Sequence, residues 1–261
     1  MSGVLQANVA GIFYPANPYE LRAMVRGYLR ASTPASRVAK AIIAPHAGYR
    51  YSASIAAAAY RRLAMKNTQI DTLLVLGPAH RIALNGIAMS QAAYYATPLG
   101  QIPLHHRLQQ DLAQLPGLAV IEQAFSGEHS LEVHLPFLQC LFPSFQLVPL
   151  VVGRVDPTLV ANVLNYCWTQ PNIAIVISSD LSHYETYERA NQHDAHTAAQ
   201  IETLDYEPLT PKDACGCFPV KGLLQHLKAV GGTIARVQIA NSGDTAGPKD
   251  KVVGYGAFAT E

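Results

Sequence analysis

Four apolar runs in the sequence each end on residues that could ligate a metal or move a proton. Ile42-Ile43-Ala44 leads into Pro45-His46-Ala47-Gly48-Tyr49, and Leu73-Leu74-Val75-Leu76 leads into Gly77-Pro78-Ala79-His80. Ile175-Val176-Ile177 leads into Ser178-Ser179-Asp180-Leu181-Ser182-His183, and Val237-Gln238-Ile239-Ala240 leads into Asn241-Ser242-Gly243-Asp244-Thr245. Two imidazoles and one carboxylate on three separate strand ends match the two-histidine, one-carboxylate face that holds non-haem Fe(II) and leaves positions open. The same set would hold zinc with a bound water. Pro45 and the Gly77-Pro78 pair stiffen the segments that carry the two histidines. Asp180 and His183 lie three apart and fit an orienter and a proton-transfer group, since imidazole titrates near neutrality.

A second constellation is Glu128-His129-Ser130-Leu131-Glu132-Val133-His134-Leu135-Pro136. Its likeness to a zincin His-Glu-x-x-His is loose, because His129 and His134 are five apart and would not share one helical face. The plain reading is a helix start with a rim histidine. The alternative puts Glu128, His129 and His134 on the pocket wall. His105, His106, His193, His196 and His226 fall in polar, helix-rich stretches and are expected at the surface.

To position these residues the chain needs strands that all deliver their carboxyl ends to one edge. The pattern supplies candidates: Val38–Ala44, Thr72–Leu76, Gln146–Val152, Ile173–Ser178 and Ile234–Ala240 are apolar runs bounded by polar or turn residues, as in strands covered on both faces. Helices are predicted over Ser54–Leu63, His106–Leu115, Ser130–Phe142, Pro157–Trp168, Tyr187–Thr203 and Pro211–Val230. A hairpin is predicted around Pro98-Leu99-Gly100, and a last strand over Lys251–Ala259. A first helix opens at Asn17-Pro18, with Glu20 completing a capping-box pattern and Leu21, Val25, Tyr28 and Leu29 facing inward. Such alternation predicts a single three-layer α/β/α domain over residues 1–261, with a central mostly parallel or mixed sheet. Ligands in such sheets bind beyond the carboxyl ends of the strands.

Composition narrows the function classes. With 261 residues and 49% hydrophobic content the chain can bury a sizeable core. A formal net charge of +1 excludes the basic excess of a nucleic-acid binder. Arg22, Arg26 and Arg30, at i, i+4 spacing, read as the solvated face of the first helix. No signal peptide or membrane span is expected. Cys140 and Cys167 are expected as small core residues, and four cysteines in a chain of this length fit a reduced cytoplasm and not a disulfide scaffold.

The motifs above, together with Val9-Ala10-Gly11-Ile12-Phe13-Tyr14-Pro15, resemble the Memo family, whose prokaryotic members are called AmmeMemoRadiSam system protein B. The resemblance spans essentially the whole chain, with the motifs in order. It implies a fold similar to the catalytic subunit of class III extradiol dioxygenases, with His46 and His80 as the metal-binding histidines, His183 as the catalytic base and Asp180 beside it. Extradiol enzymes take their third ligand, a glutamate, from near the chain end, and animal Memo proteins have a cysteine there. The corresponding segment here offers Asp244 or Thr245. Cys215-Gly216-Cys217 falls where the family has a Cys-Gly segment close to the pocket, which makes Cys215 a pocket residue, with Tyr49 beside His46 another.

Three functions follow as expectations. The first is a mononuclear Fe(II) enzyme, with copper or zinc as alternative metals, acting with O2 on a small aromatic or diol-like substrate. The second is a zinc-type hydrolase. The third is a non-enzymatic protein that binds iron, copper, a peptide or a small molecule, linked, as the resemblance implies, to an AMMECR-type protein and a radical-SAM enzyme.

Overall fold

The computed structural model describes residues 3–33, 38–63 and 69–261. In chain order the elements are β1 (Val4–Leu5), α1 (Pro18–Ala31), β2 (Ala41–Ala44), α2 (Tyr49–Tyr60), β3 (Thr72–Pro78), β4 (Ile87–Met89), β5 (Tyr94–Thr97) and β6 (Gly100–Pro103). There follow α3 (His106–Leu112), β7 (Leu118–Val120), α4 (Leu135–Leu141), β8 (Gln146–Val152), α5 (Pro157–Trp168), β9 (Ile173–Ser178) and β10 (His183–Glu185). The chain closes with α6 (Tyr187–Glu202), α7 (Cys217–Val230), β11 (Ile234–Asn241), α8 (Ser242–Thr245) and β12 (Val252–Thr260). Asn17 caps α1, its side chain accepting from the Tyr19 and Glu20 N–H groups, with Pro18 at the first helical position.

The main sheet runs β10-β12-β2-β9-β3-β8-β4-β7, with β11 also paired to β12. Its centre is parallel: β2 pairs with β9, β9 with β3, and β3 with β8. The flanks are antiparallel, through β12 on one side and β4 on the other. Residues alternate between two cores along each central strand. Ile42, Leu73, Val75 and Val176 pack into one core with Leu21, Val25 and Phe137 from α1 and α4. Ile43, Leu74, Leu76, Ile175 and Ile177 pack into the other with Val160, Leu164, Val220 and Leu224 from α5 and α7. A period of two with both faces apolar requires a helical layer on each side, so the sandwich is α/β/α. Each of these fully buried aliphatic side chains contributes ~1.5–3 kcal/mol through area removed from water.

Because β2, β9 and β3 are parallel neighbours, their carboxyl ends share one edge. His46, Asp180 and His80 follow Ala44, Ser178 and Pro78, each two residues beyond its strand. The expected elements correspond closely; the short β1, β4, β7, β10 and α8 were not expected, and three helices start elsewhere than predicted. The helix expected from Ser54 begins already at Tyr49, directly after the turn that carries His46. The stretch from Ser130 opens as a 3-10 turn over Glu132–His134 before α4. The segment 211–216 stays outside α7, which starts at Cys217.

Candidate metal centre

Three side chains from three separate segments converge at this edge. One ligand atom each from His46, His80 and Cys215 lies within 4.8 Å of the other two. His46 Nε2 stands 3.4 Å from Cys215 Sγ, and the His46 and His80 ring centroids are 5.2 Å apart. Nitrogen and sulfur donors at ~2.1 and ~2.3 Å from a tetrahedral ion would lie ~3.4–3.8 Å from each other. The spacing therefore fits one shared ion.

Both histidines have their other ring nitrogen engaged, which fixes the tautomer. His46 Nδ1 contacts Ser178 Oγ at 2.6 Å, and the Ser178 hydroxyl donates to the Ser130 carbonyl at 2.6 Å. With its proton used there, Ser178 can only accept from His46, so Nδ1 carries the hydrogen and Nε2 presents a lone pair toward Cys215. Ser178 Oγ also accepts from His134 Nε2 at 2.7 Å, and the far nitrogen of His134 accepts from the Tyr60 hydroxyl. This wire is buried throughout; burial pushes His134 down to about 3, so it stays neutral. His80 is held by Glu128, whose Oε2 accepts from the His80 backbone N–H at 2.6 Å and whose Oε1 pairs with Nδ1 at 3.1 Å. Glu128 Oε1 also accepts from the His129 and Ser130 N–H groups. Burial alone would raise the Glu128 carboxyl; the hydrogen bond and charge of His80 outweigh it and hold it at about 2. A carboxylate behind a ligating histidine is the usual way of fixing its ring and raising its basicity.

Cys215 reaches the site because of its neighbour. A Cβ on Gly216 would stand 2.2 Å from the Ser178 carbonyl oxygen, so only glycine allows the start of α7 to approach the end of β9 this closely. Gly77 plays the same part on β3, where a Cβ would meet Ser130 Oγ at 2.7 Å. The Asp180 N–H donates to Cys215 Sγ at 3.2 Å, and Cys215 N–H donates back to the Asp180 carbonyl. Burial, then the Asp180 carboxylate, push the Cys215 thiol well up. Asp180 itself is buried; its Oδ1 accepts from His46 N–H at 2.8 Å, its Oδ2 is 4.0 Å from His46 Nε2, and burial raises it to about 7. Burial lowers His183, which stands on β10 near His80. His129 stacks on His80 at 5.0 Å and meets His46 edge-on at 5.4 Å, with burial holding it at about 4.

Not every expected residue arrives. Asp244 is turned away from the histidines: its Oδ2 accepts from the Asn241 N–H in a capping box and its Oδ1 accepts from the Tyr187 hydroxyl. Although β11 runs in the same direction as β2, β12 lies between them, setting its end two strand spacings (~10 Å) from β2. Thr245 donates to the Ser242 carbonyl within the same turn. Tyr49 is a core residue, its hydroxyl donating to the Val133 carbonyl and its ring packed on Phe137. His134 lies behind His46 and not on an open wall. Of the histidines expected at the surface, His226 is buried against Trp168 and hydrogen-bonded to Asn165, and His193 sits between Glu185 and Asp213. Ser178 and Tyr60, which complete the wire, carry no motif by which sequence alone would single them out. Cys215 was pointed to only through the family resemblance, since its Cys-Gly-Cys run is by itself too lone a pair to mark a metal site.

A sheet edge with a buried and an exposed histidine, both tautomer-locked, and a cysteine defines an α/β protein with a candidate metal centre, and comparison with known proteins places it further. Residues 6–259 match the family profile described as Memo-like protein, and the chain belongs to that family. It is 33% identical to a MEMO1 family protein of Sulfolobus acidocaldarius over 95% of both chains. It is also 33% identical to one of Methanosarcina mazei over 98% of both, and 30% identical to one of Methanopyrus kandleri over 96% of both. The fold is similar to the crystal structure of an uncharacterized protein of Escherichia coli K12, with a TM-score of 0.54 at 14% identity, covering 83% of this chain and 98% of that one. No helix among the described residues is long and apolar enough to cross a membrane.

Proposed function

We propose that this chain binds one transition-metal ion through His46 Nε2, His80 Nε2 and Cys215 Sγ, and uses it for O2-dependent chemistry on a small aromatic or diol-like substrate. The observation that carries the metal part is the joint one above: three donor atoms mutually within 4.8 Å, His46 Nε2 and Cys215 Sγ 3.4 Å apart, and each histidine with its other nitrogen held by a buried partner. Two imidazoles and a thiolate favour iron, copper or zinc over magnesium, calcium or manganese. Fe(II) bound there would supply O2 activation, with positions left open for substrate. The chain's own residues supply the rest. His183, its imidazole biased toward the neutral form by burial, is suited to accept a substrate proton at neutral pH. Asp180 anchors the His46 backbone and keeps a carboxyl, also near neutrality, beside the Nε2 side of the ring. His129, stacked on His80, offers a flat wall for an aromatic ring.

One observation favours a second reading, a metal-handling protein without turnover. The third donor is a soft thiolate where an oxygenase of the two-histidine type uses a carboxylate, and that set suits Cu(I) well. Anaerobic purification with elemental analysis separates these. About one iron per chain together with metal-dependent O2 uptake on a panel of catechols supports the oxygenase. Copper or iron without any O2 uptake leaves the binding protein, and zinc with neither points to hydrolysis. Full metal content in His46→Ala or His80→Ala would remove the site altogether.

A further inference from the structure

The arginines of α1 form the expected solvated helix face, and two of them also border a cavity. Arg22 and Arg26 line a cavity of about 660 Å³ between α1, the β5–β6 hairpin and the end of α4. Among the described residues, no carboxylate comes within 4.0 Å of either guanidinium and neither makes a hydrogen bond, and no Asp or Glu lines the cavity. The rest of the lining mixes Leu99, Leu141 and Pro103 with the polar Gln101, Gln139 and Ser144. Cys140 is partly buried against the core, as expected, and also lines this cavity. Burial raises its thiol while Arg22 and Arg26 both pull it down, so the two cations act on the same point.

We propose that this cavity is a second binding site, independent of the metal centre, for a small organic phosphate whose dianionic head is held by Arg22 and Arg26 and whose short apolar body lies against Leu99 and Leu141. Like charges one turn apart repel each other, and Arg30 extends the run with no acid at i±4 to offset it. A phosphate monoester brings ~−1.5 to −2 charges near neutrality and removes that repulsion. Guanidinium groups grip phosphate through paired N–H bonds, which a single carboxylate would only half satisfy. The volume falls in the range of small-ligand sites, ~300–1,000 Å³. Leu99 and Leu141 beside two cations favour a small amphiphilic anion over a free inorganic ion.

The test is equilibrium dialysis of the full chain with n-butyl phosphate, n-butanol, butyrate and inorganic phosphate. Butyl phosphate is expected to bind saturably, and at least ~tenfold more weakly to Arg22→Gln/Arg26→Gln, since a hydrogen bond to a charged group contributes more than ~1.5 kcal/mol. Butanol should not bind, and butyrate and inorganic phosphate should bind more weakly. Equal binding to the double variant, or butanol binding as well as butyl phosphate, overturns the proposal. Cys140 alkylation by iodoacetamide in the unmodified chain gives a second readout that needs no variant. Butyl phosphate should slow it at least ~tenfold at saturation, and no slowing places the ligand elsewhere. The metal content of the double variant, measured alongside, should equal that of the unmodified chain, which separates failure here from failure at the metal centre.

Discussion

The ends of β9 and β11 are alike as sequence and different as chemistry. Each is an apolar strand that runs into small polar residues with an aspartate close behind. After β9, Asp180 turns into the site and accepts from the backbone of His46 on the neighbouring strand end. After β11, Asp244 turns back and accepts from Asn241, three residues earlier, closing its own short helix. Two factors separate them. One is lateral position: β9 lies between β2 and β3, whereas β12 separates β11 from β2. The other is local competition, since a carboxylate three residues after a strand end meets unpaired N–H groups of a nascent helix first. A strand-end acid becomes a site residue only when its strand is central and its own turn leaves it free.

The sharpest way to break this comparison is to exchange the two candidate third ligands. Cys215→Ala should lower metal affinity by more than the ~10–100-fold that loss of a supporting hydrogen-bond partner costs, while Asp244→Asn should leave it unchanged. Competition with a calibrated chelator measures both, and the reverse order of effects would restore Asp244 as the ligand. Next in size, Glu128→Gln keeps the shape but loses the charge behind His80, and affinity should fall ~10–100-fold. An unchanged affinity would mean that His80 needs no orienting partner. Gly216→Ala follows. Its new methyl group meets the Ser178 carbonyl, so stability should drop by ~1–3 kcal/mol, read from urea unfolding of the metal-free chain. Metal affinity should drop with it, because Cys215 moves; a neutral substitution would show that the approach of α7 to β9 is relaxed.

Those contrasts also mark what sequence could and could not convey. The parallel core was legible because strands buried on both faces are continuous apolar runs; Gln146–Val152 and Ile173–Ser178 have the predicted boundaries. His46 and His80 were legible because each follows such a run after a stiff proline turn. Lateral strand order is not written in periodicity, so nothing in Val237–Thr245 announced that β12 would intervene. Cys215 was visible only through the family resemblance, since its approach depends on where α7 begins relative to β9, a long-range packing fact. The short strands β4, β7 and β10 escaped for a related reason: with three residues each they carry too little pattern, and their pairing partners define them.

The smallest expected effect concerns a clamp outside the ligand set. His193 on α6 bonds Glu185 at 3.1 Å through Nδ1 and Asp213 at 2.7 Å through Nε2, tying the segment after His183 to the segment before Cys215. Burial, the largest single influence, works against the charged imidazole, but the combined bonds and charges of Asp213 and Glu185 raise its pKa above the ordinary value. Asp213 is held below its own ordinary value: burial works against that too, and the bonds from Thr210 and His193 prevail. A folded-state pKa above the unfolded ~6.5 means the His193 contribution is fully present below pH ~6.5 and is lost as pH rises through the folded value. The carboxylate of Asp213 is already ionised throughout that window, so only the imidazole titrates in this pair. Both partners are partly exposed, so the contribution is modest and weakens with salt. In metal-free protein at low salt, the stability difference between the unmodified chain and His193→Gln should shrink between pH about 6 and about 8. A difference that stays constant across that range would show that the clamp holds by hydrogen bonding alone. The β10 and α7 sides of the site would then be tied together in the same neutral way as Ser178 and His134 behind His46.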